Sequence, residues 1–467
     1  MGEITRLVRP RIVTGDGDGL VSHAGVAWLA ETAELSGLTA GLVAAMGGVA
    51  QRRHVAGRSL GQVVLAIADG ATCLSDLAAL RGQPAMFGPV ASEATVWRTF
   101  NHVGPVELRG IARARAAARE KGWAAGAGPT GDLTIIDVDA TLIRTKADKQ
   151  DAAPTYKGTY GHHPLLAICP DTDEVLAGRL RPGNAGANNA ADHVAVLADA
   201  IAQLPPAWQA GHDHGDDAAD VRKQLLCRAD AAGASHWFAE ECVERNIGFT
   251  LGYQIDNRVR DGVMCVPTGC WHPAVNADGT RRDGAWVVEL TDLINLDTWP
   301  EGTRLIVRRE RPHPGAQLTL FDTIEGFRHT AFITDQTSHD VAALELQQRQ
   351  RARAENVIRD TKACGLANLP FDDIVNNEAW MNLCFAANDL LGWAQRIGCV
   401  GQLRHATPKT IRHRLLHVAA RITPNSRRLR LDHDWPWTHI VIDAIHRVRT
   451  AFRALTVTTT TTAQAAL

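Results

Sequence analysis

The chain has 467 residues, of which 45% are hydrophobic and 21% charged, as is ordinary for a globular protein of roughly two to four domains. We find no apolar run of about 18 residues and no secretory signal, so we expect no membrane partner. The formal net charge of −2 gives no sign, at the level of the whole chain, of a nucleic-acid binder.

The nine cysteines are scattered and show no Cys-x-x-Cys spacing, which argues against a disulfide framework or a zinc ribbon. Reduced thiols of this kind are typical of a cytoplasmic protein.

Residues 1–122 are predicted to form a helical region that begins with a loose arm at 1–18. Apolar spacing and capping residues such as Ser75 and Ser92 predict helices at 21–46, 59–68, 76–80, 92–100 and 106–121. Short helices that carry Ser, Thr, Trp and Arg suit a helix-turn-helix, in which Arg98 would contact DNA. An ordinary helical bundle packed on the core fits the same pattern.

A Gly-rich linker at 122–132 precedes the strand LTIIDVDA, which ends in two acids, Asp137 and Asp139. The period of two places both carboxylates on one face of the strand. A carboxylate at the end of an apolar strand needs a partner, and a metal cation is a natural one.

Strands and helices alternate in the residues that follow this strand. The pattern predicts strands at 133–140, 155–169 and 173–181, a helix at 188–204, a strand at 223–229, a helix at 235–245 and a strand at 248–254. This order of three strands, helix, strand, helix and strand is that of an α/β, RNase H-like core. We place its first part at 132–256 and its second at 333–370.

Residues 257–332 interrupt the alternation with short runs at 285–290, 304–311, 318–321 and 327–332, which predict a β-rich insertion. A long helix is predicted at 339–362, capped by Ser338. Residues 371–455 are predicted to be helical. They are also basic, because residues 396–453 hold eleven Arg and one Lys against three acids, a balance of 12 − 3 = +9. Such a segment suits a phosphate-rich partner or a solvated face. Residues 456–467 are predicted to be a disordered tail.

Three acids stand at comparable places: Asp139 at the end of a strand, Asp230 just after another, and Glu355 on the following helix. Carboxylates brought together in this way can hold Mg²⁺. The spacing Arg351-x3-Glu355-x6-Lys362 puts two cations and the acid on one helical stripe, where the cations could contact phosphates.

These motifs, with the segments TIIDVDATLI, YKGTYGHHPLL, LLCRADAAGASHWF and RARAENVIRDTKACGLANLP, resemble the DDE transposases of bacterial insertion sequences, and most of all the insertion sequence 1380 family. The resemblance implies a DNA transposase that binds two Mg²⁺ or Mn²⁺ ions through Asp139, Asp230 and Glu355. It would cleave and join DNA at terminal inverted repeats, acting in the bacterial cytoplasm at the nucleoid, and joining two ends would require at least a homodimer.

The sequence leaves several residue assignments open. Asp137 competes with Asp139 for the first metal position, although Asp139 is followed by Ala and Thr as in the related motif. Related transposases carry a Tyr where this chain has Gln348, so one phosphate contact is missing. Lys157, beside His162 and His163, is a further candidate for contacting phosphate.

In the insertion, the resemblance implies that a Trp stacks on an extruded base, and Trp271 and Trp299 are the candidates, whereas Trp286 suits the core. A separate metal cluster could be formed by His212, Asp213 and His214 with Asp216 and Asp217, but a polar loop is the preferred interpretation. Two rival functions remain: a metal-dependent nuclease that does not join strands, and an inactive DNA-binding relic.

Overall fold

The computed structural model describes residues 17–465 except 50–53, 187–188, 313, 316 and 424–427, with side chains of the last helix described to Thr456. The predicted N-terminal arm therefore lies almost entirely outside the described residues.

The N-terminal region is helical, as predicted. Its elements are β1 (Leu20–Val21), α1 (Val26–Ser36), α2 (Leu38–Ala45), α3 (Ala56–Asp69), α4 (Ala78–Arg81), α5 (Pro84–Phe87), α6 (Glu93–Phe100) and α7 (Pro105–Gly122). Ser92 caps α6, because its hydroxyl accepts the Thr95 N–H. The prediction that Ser75 caps the next helix was wrong. A tight turn at Leu74–Leu77 starts two residues before the predicted helix, its N-cap is Cys73, and Asp76 accepts the N–H groups of Thr72 and Cys73.

The central region alternates strands and helices. Its elements are β2 (Leu133–Ala140), β3 (Ile143–Arg144), β4 (Ala153–Pro154), β5 (Tyr160–His162), β6 (Leu165–Cys169), β7 (Glu174–Arg179), α8 (Ala190–Ile201), α9 (Pro206–Gln209), β8 (Gln224–Ala229), α10 (His236–Glu244) and β9 (Gly248–Tyr253). The single strand predicted at 155–169 was wrong. Gly158, at φ 70°, turns the chain between β4 and β5, so that only residues 165–169 enter the main sheet.

The insertion contains α11 (Asn257–Cys265), β10 (His272–Val275), β11 (Arg281–Glu289), β12 (Arg304–Glu310), α12 (Leu320–Glu325) and β13 (Arg328–Thr334). The strand predicted at 318–321 is instead the start of a helix. Thr319 and Asp322 form a reciprocal capping box there, and Gly326 ends the helix at φ 73°. Local capping thus overrides the apolar run.

The remaining elements are α13 (Val341–Arg349), α14 (Arg353–Thr361), α15 (Ile374–Gly398), α16 (Pro408–Ile411), β14 (Ala420–Ile422), β15 (Leu429–Leu431) and α17 (Thr438–Ala465). The helix predicted at 339–362 is broken by a tighter turn at Gln350–Ala352, and Asp340 rather than Ser338 caps its first part. The C-terminal region is not wholly helical, because β14 pairs with both β15 and β1. The last helix covers most of the predicted tail.

One mixed sheet organises the chain, with nine strands in the order β10-β11-β12-β13-β9-β8-β2-β6-β7. Strand β2 is parallel to β8, and β8 is parallel to β9, while β6 runs antiparallel to β2. The insertion continues this sheet, since β13 pairs antiparallel with β9. The carboxyl ends of β2, β8 and β9 therefore lie at one edge.

A buried charge network fixes the helices on the outer strand β7. The Asp389 carboxylate on α15 accepts hydrogen bonds from Arg115 and Arg119 of α7, each at 2.8 Å. Arg119 also pairs with Glu174 of β7 at 3.0 Å, and Trp393 donates its indole N–H to the same carboxylate. All four charged side chains are at most 1% exposed. Because buried charges are costly unless paired, this network fixes the arrangement of α7, β7 and α15.

Across the described part of the chain, no single helix is long and apolar enough to span a membrane, although the bent pair Ala56–Asp69 and Leu74–Arg81 meets the test of length and composition. All nine cysteines are free thiols.

Replacing Asp389 by Asn should lower the free energy of unfolding by about 3 to 5 kcal/mol, because Arg115 and Arg119 would stay buried with one anion fewer. Urea denaturation of the full chain measures this change. Asp434→Asn, at a side chain that is 95% exposed, is the control and should change stability little. A loss below about 1 kcal/mol at Asp389 would contradict the role given to the network.

Candidate active site

Two of the three predicted acids lie side by side at the edge where β2 and β8 end. The last parallel pair of these strands is Val138 with Ala229, so Asp139 and Asp230 occupy the next position on each strand. Neighbouring strands are about 4.8 Å apart, which brings the two carboxylates into the same small region. The proximity of the Asp230 charge raises the pKa of Asp139, in addition to the larger effect of burial.

Arg351 compensates the charge of Asp139. Its Nη1 donates to Asp139 Oδ2 at 3.2 Å, and this guanidinium opposes the rise in the Asp139 pKa that burial causes. The other oxygen, Oδ1, accepts the N–H of Ala140 at 2.9 Å. The Asp139 side chain keeps 18% of its surface exposed, so solvent and small ions reach it.

The loop after β8 holds Asp230 in one orientation. Its Oδ1 accepts the N–H groups of Ala232 and Gly233 at 3.1 and 3.0 Å, which leaves Oδ2 without a hydrogen-bond partner among the described residues. Gln348 of α13 lies behind this loop, since its amide donates to the carbonyl of Ala229 at 3.3 Å and accepts from Thr250 of β9 at 3.2 Å. Gln348 thus braces the peptide preceding Asp230, a role that the sequence did not reveal.

Glu355 is exposed on α14, and no hydrogen bond or ion pair of its carboxylate occurs within the described ranges. Its two predicted stripe partners both reach the end of β2. Arg351 contacts Asp139, and Lys362 donates to Thr141 Oγ1 at 2.7 Å and to the Leu142 carbonyl at 3.0 Å. Glu355 follows Arg351 by about one turn and precedes Lys362 by about two, so it lies on a helical segment that contacts the end of β2 at both ends. Among the described residues, the oxygens of Asp139, Asp230 and Glu355 do not all lie within 4.8 Å of one another.

Asp137 faces the same side of β2 as Asp139 but is fully buried and already occupied. Arg228, its register partner on β8, donates Nε to Oδ1 at 2.6 Å and Nη2 to Oδ2 at 2.8 Å. The same guanidinium also donates to the Gln347 carbonyl. With both oxygens engaged by an arginine, Asp137 is a poor metal ligand, and this geometry favours Asp139. Sequence reasoning missed Arg228, which lies two residues before Asp230.

Lys157 is exposed at the turn between β4 and β5, with its ammonium 5.5 Å from the centre of the Tyr156 ring. It lies near Lys362: burial lowers the pKa of Lys362, and the Lys157 charge lowers it further. The adjacent histidines are buried. His162 contacts the Gln150 carbonyl at 3.0 Å and His163 the Ala185 carbonyl at 3.3 Å, which are structural roles.

The two candidate tryptophans differ in exposure. Trp271 is only 6% exposed, and the Arg309 guanidinium lies 4.0 Å from its ring centre. Trp299 is half-buried against His236 at 4.3 Å and Tyr253 at 6.1 Å between ring centres. His236 begins the helix that follows Asp230, and Tyr253 ends β9, so Trp299 lies near the edge of the sheet where β9 ends. Trp286 packs on Phe327.

Two further candidates from the sequence are Arg98, as a contact to DNA, and the segment around His212. Arg98 is exposed on α6 and bonds within its own helix, to the Ala94 carbonyl and the Thr95 hydroxyl. His212 is fully buried, with its ring nitrogens 2.9 and 2.7 Å from backbone carbonyls, so it is not available for the metal cluster that was the less favoured interpretation of this segment. His214 instead contacts Glu244 of α10.

The family described as "Transposase DDE domain group 1" matches residues 7–452. The chain belongs to this transposase family. It is therefore a DDE transposase, an enzyme that cleaves DNA and transfers the cut strands.

Among solved structures, the transposase is similar to a cryo-EM structure of the piggyBac transposase synaptic complex with hairpin DNA. The two chains are 9% identical, with a TM-score of 0.40 over 84% of this chain and 79% of the other. A comparison with curated proteins finds no match.

The two acids of β2 should respond differently to substitution. Asp137→Asn should destabilise the transposase by about 3 to 5 kcal/mol, because Arg228 would lose its buried partner. Asp139→Asn should leave the melting temperature unchanged or slightly raised at neutral pH without divalent ions. Equal destabilisation by the two changes would contradict this assignment.

The effect of Asp139→Asn on the melting temperature should depend on pH. Burial raises the folded-state pKa of Asp139 above its unfolded value, so the wild type loses stability as the pH rises between these two values. The Asn variant does not lose stability in this way. The difference in melting temperature between the variant and the wild type should therefore vanish below a pH of about 3, where the carboxyl group is protonated in both the folded and the unfolded state. Thermal melts across the pH range check the trend.

Proposed function

We propose that Asp139, Asp230 and Glu355 are the metal-binding acids with which this transposase cuts and joins DNA at the terminal inverted repeats of an insertion sequence. One observation carries the assignment: Asp139 and Asp230 follow the last paired residues of neighbouring parallel strands. Arg351 and Lys362, which flank Glu355 along the chain, contact Asp139 and Thr141 at the end of β2, and this supports Glu355 as the third acid. Asp137, the rival of Asp139, is engaged by Arg228.

We further propose that strands β7, β6, β2, β8 and β9 form an RNase H-like core, and that the enzyme is a bacterial member of the insertion sequence 1380 family acting at the nucleoid. The order of elements along the chain, three strands, a helix, a strand, a helix and a strand, supports the core. The four segments quoted above support the family.

The donor atoms suit Mg²⁺ or Mn²⁺. All three side chains offer carboxylate oxygens, and within the described residues Asp230 Oδ2 and the Glu355 carboxylate have no protein partner. Hard divalent cations prefer such oxygen ligands. A pair of these ions, when bound, activates the attacking oxygen and stabilises the leaving oxygen of a phosphoryl transfer.

The surrounding residues orient these acids and attract the DNA. The Asp230 loop and Gln348 fix one carboxylate, and Arg351 holds the other while its remaining guanidinium nitrogens are available for a phosphate. Lys362 and the exposed Lys157 add positive charge beside the end of β2. We infer that these cations position the scissile phosphate, and that Trp299 is better placed than the covered Trp271 to stack on a base.

A groove beside α14 extends the proposed DNA path. Its cavity of about 430 Å³ is lined by four arginines and three aspartates, among others: Arg353, Arg359, Arg396, Arg404, Asp171, Asp173 and Asp360. Arg396 pairs with Asp173 and Arg359 with Asp360, whereas Arg353 and Arg404 have no acidic partner in the described part of the chain. We propose that this groove and Arg98 contact the DNA backbone, and that two copies of the chain act together on two ends.

Asp139→Asn, Asp230→Asn and Glu355→Gln should each reduce Mg²⁺-dependent nicking of inverted-repeat DNA by about 10³-fold or more while binding of that DNA is retained. Mapping of nicks and gel-shift assays measure the two effects. Glu120→Gln changes an exposed acid of α7 and should leave nicking intact. Unchanged nicking in any of the three variants would remove that residue from the site.

Lys157→Ala should weaken binding to DNA of any sequence severalfold and reduce the slope of log affinity against log salt by about one. Lys223→Ala is the matched control, because Lys223 precedes β8 at the opposite edge of the sheet and lies 5.0 Å from the Trp208 ring centre. Equal effects of the two substitutions would argue against a phosphate contact at Lys157.

A further inference from the structure

A second cluster of ligand-type side chains lies outside the acidic site. His23 Nδ1 is 2.6 Å from Asp69 Oδ2, and His417 Nε2 is 3.2 Å from Asp69 Oδ1. The two imidazole rings stack with centres 4.0 Å apart and planes 24° from parallel. One nitrogen of each histidine and a carboxylate oxygen thus lie within 4.8 Å of one another. Nothing in the proposed chemistry uses these side chains.

The backbone fixes all three residues. The N–H groups of Ala24 and Gly25 donate to the carbonyls of Val418 and Leu416 at 2.9 and 3.1 Å, which prolongs the pairing of β1 with β14 on both sides of the histidines. Asp69 is the last residue of α3. His23 has φ 55°, a left-handed conformation that costs about 1 kcal/mol or more outside glycine and persists only where the surroundings impose it.

The carboxylate of Asp69 is in a position where a nearby positive charge would stabilise it. Its side chain is 6% exposed and lies at the carboxyl end of a helix, where the helix dipole is unfavourable to an anion. The nearby Arg412 does not contact this carboxylate, because it donates to the carbonyls of Ile67 and Ala68. Protonating both stacked imidazoles would place like charges about 4 Å apart, which is unfavourable. A single divalent ion would satisfy the carboxylate and leave both rings neutral.

We propose that His23, Asp69 and His417 bind one divalent transition-metal ion of the zinc class. Two imidazole nitrogens and one carboxylate favour Zn²⁺ or Co²⁺ over Mg²⁺, which separates this site from the all-oxygen acids at the end of β2. The histidine side chains are 32% and 36% exposed, so water can complete the coordination. The ion fastens the start of the N-terminal region to the segment before β14, and it stabilises the folded chain because the unfolded chain lacks the site.

Titrating the metal-free, full-length protein with Co²⁺ tests the proposal, since tetrahedral cobalt absorbs visible light. We expect one equivalent to give a visible band that Zn²⁺ abolishes, together with a rise in melting temperature. His23→Asn and His417→Asn should each weaken binding at least tenfold. His433→Asn, at a fully exposed histidine, and Asp139→Asn should leave the band unchanged.

Either of two results would overturn the proposal: no stoichiometric band in the wild type, or a band that persists in both histidine variants. The three side chains would then be a hydrogen-bonded contact only. A band lost in Asp139→Asn but kept in His417→Asn would also overturn it, because the ion would belong to the acids. His417 is partly exposed, so we expect His417→Asn to fold. The cobalt titration of this variant therefore tests the proposal even if His23→Asn does not fold. The binding result is independent of nicking activity.

Discussion

The buried pair of Asp137 and Arg228 is the interaction on which the candidate active site depends. It joins register partners of the two central parallel strands with two short hydrogen bonds. A slip of one residue would separate these charges in the interior, at a cost of several kcal/mol, and would turn Asp139 or Asp230 to the opposite face of the sheet. The pair thus fixes the alignment that sets the partly buried Asp139 and Asp230 beside each other. Arg228 also reaches the Gln347 carbonyl, which ties α13 to the same point.

Two kinds of charged cluster have opposite tasks in this transposase. Arg115, Arg119, Glu174 and Asp389 are buried and mutually paired, so their effect is to fix helices on β7. Asp139, Asp230 and Glu355 are partly or fully exposed, and the described structure leaves some of their oxygens without partners. Loss of any member of the first cluster should lower stability, whereas the second cluster has the free oxygens that the proposed binding of ions requires.

The sequence predicted the order of strands and helices in the central region, because strand periodicity is a local signal. It also supplied the three acids that we propose as metal ligands, because residues that follow a strand can be read locally. It left Asp137 and Asp139 unresolved, since the deciding partner, Arg228, lies 91 residues away. Arg115 and Arg119 could have been noticed as two arginines one turn apart in an alanine-rich helix, but their partner Asp389 lies 270 or more residues later. The strand wrongly predicted at 318–321 failed for a local reason, the capping box of Thr319.

The pairing of β1 with β14 joins residues about 400 positions apart in the chain. Helix α1 also packs on α15 and α17, which a ribosome synthesises more than 300 residues after α1. The N-terminal region therefore cannot reach its final packing during translation until α17 has emerged. Until then the apolar side of α1 is uncovered, and a stalled nascent chain would be prone to aggregation and proteolysis.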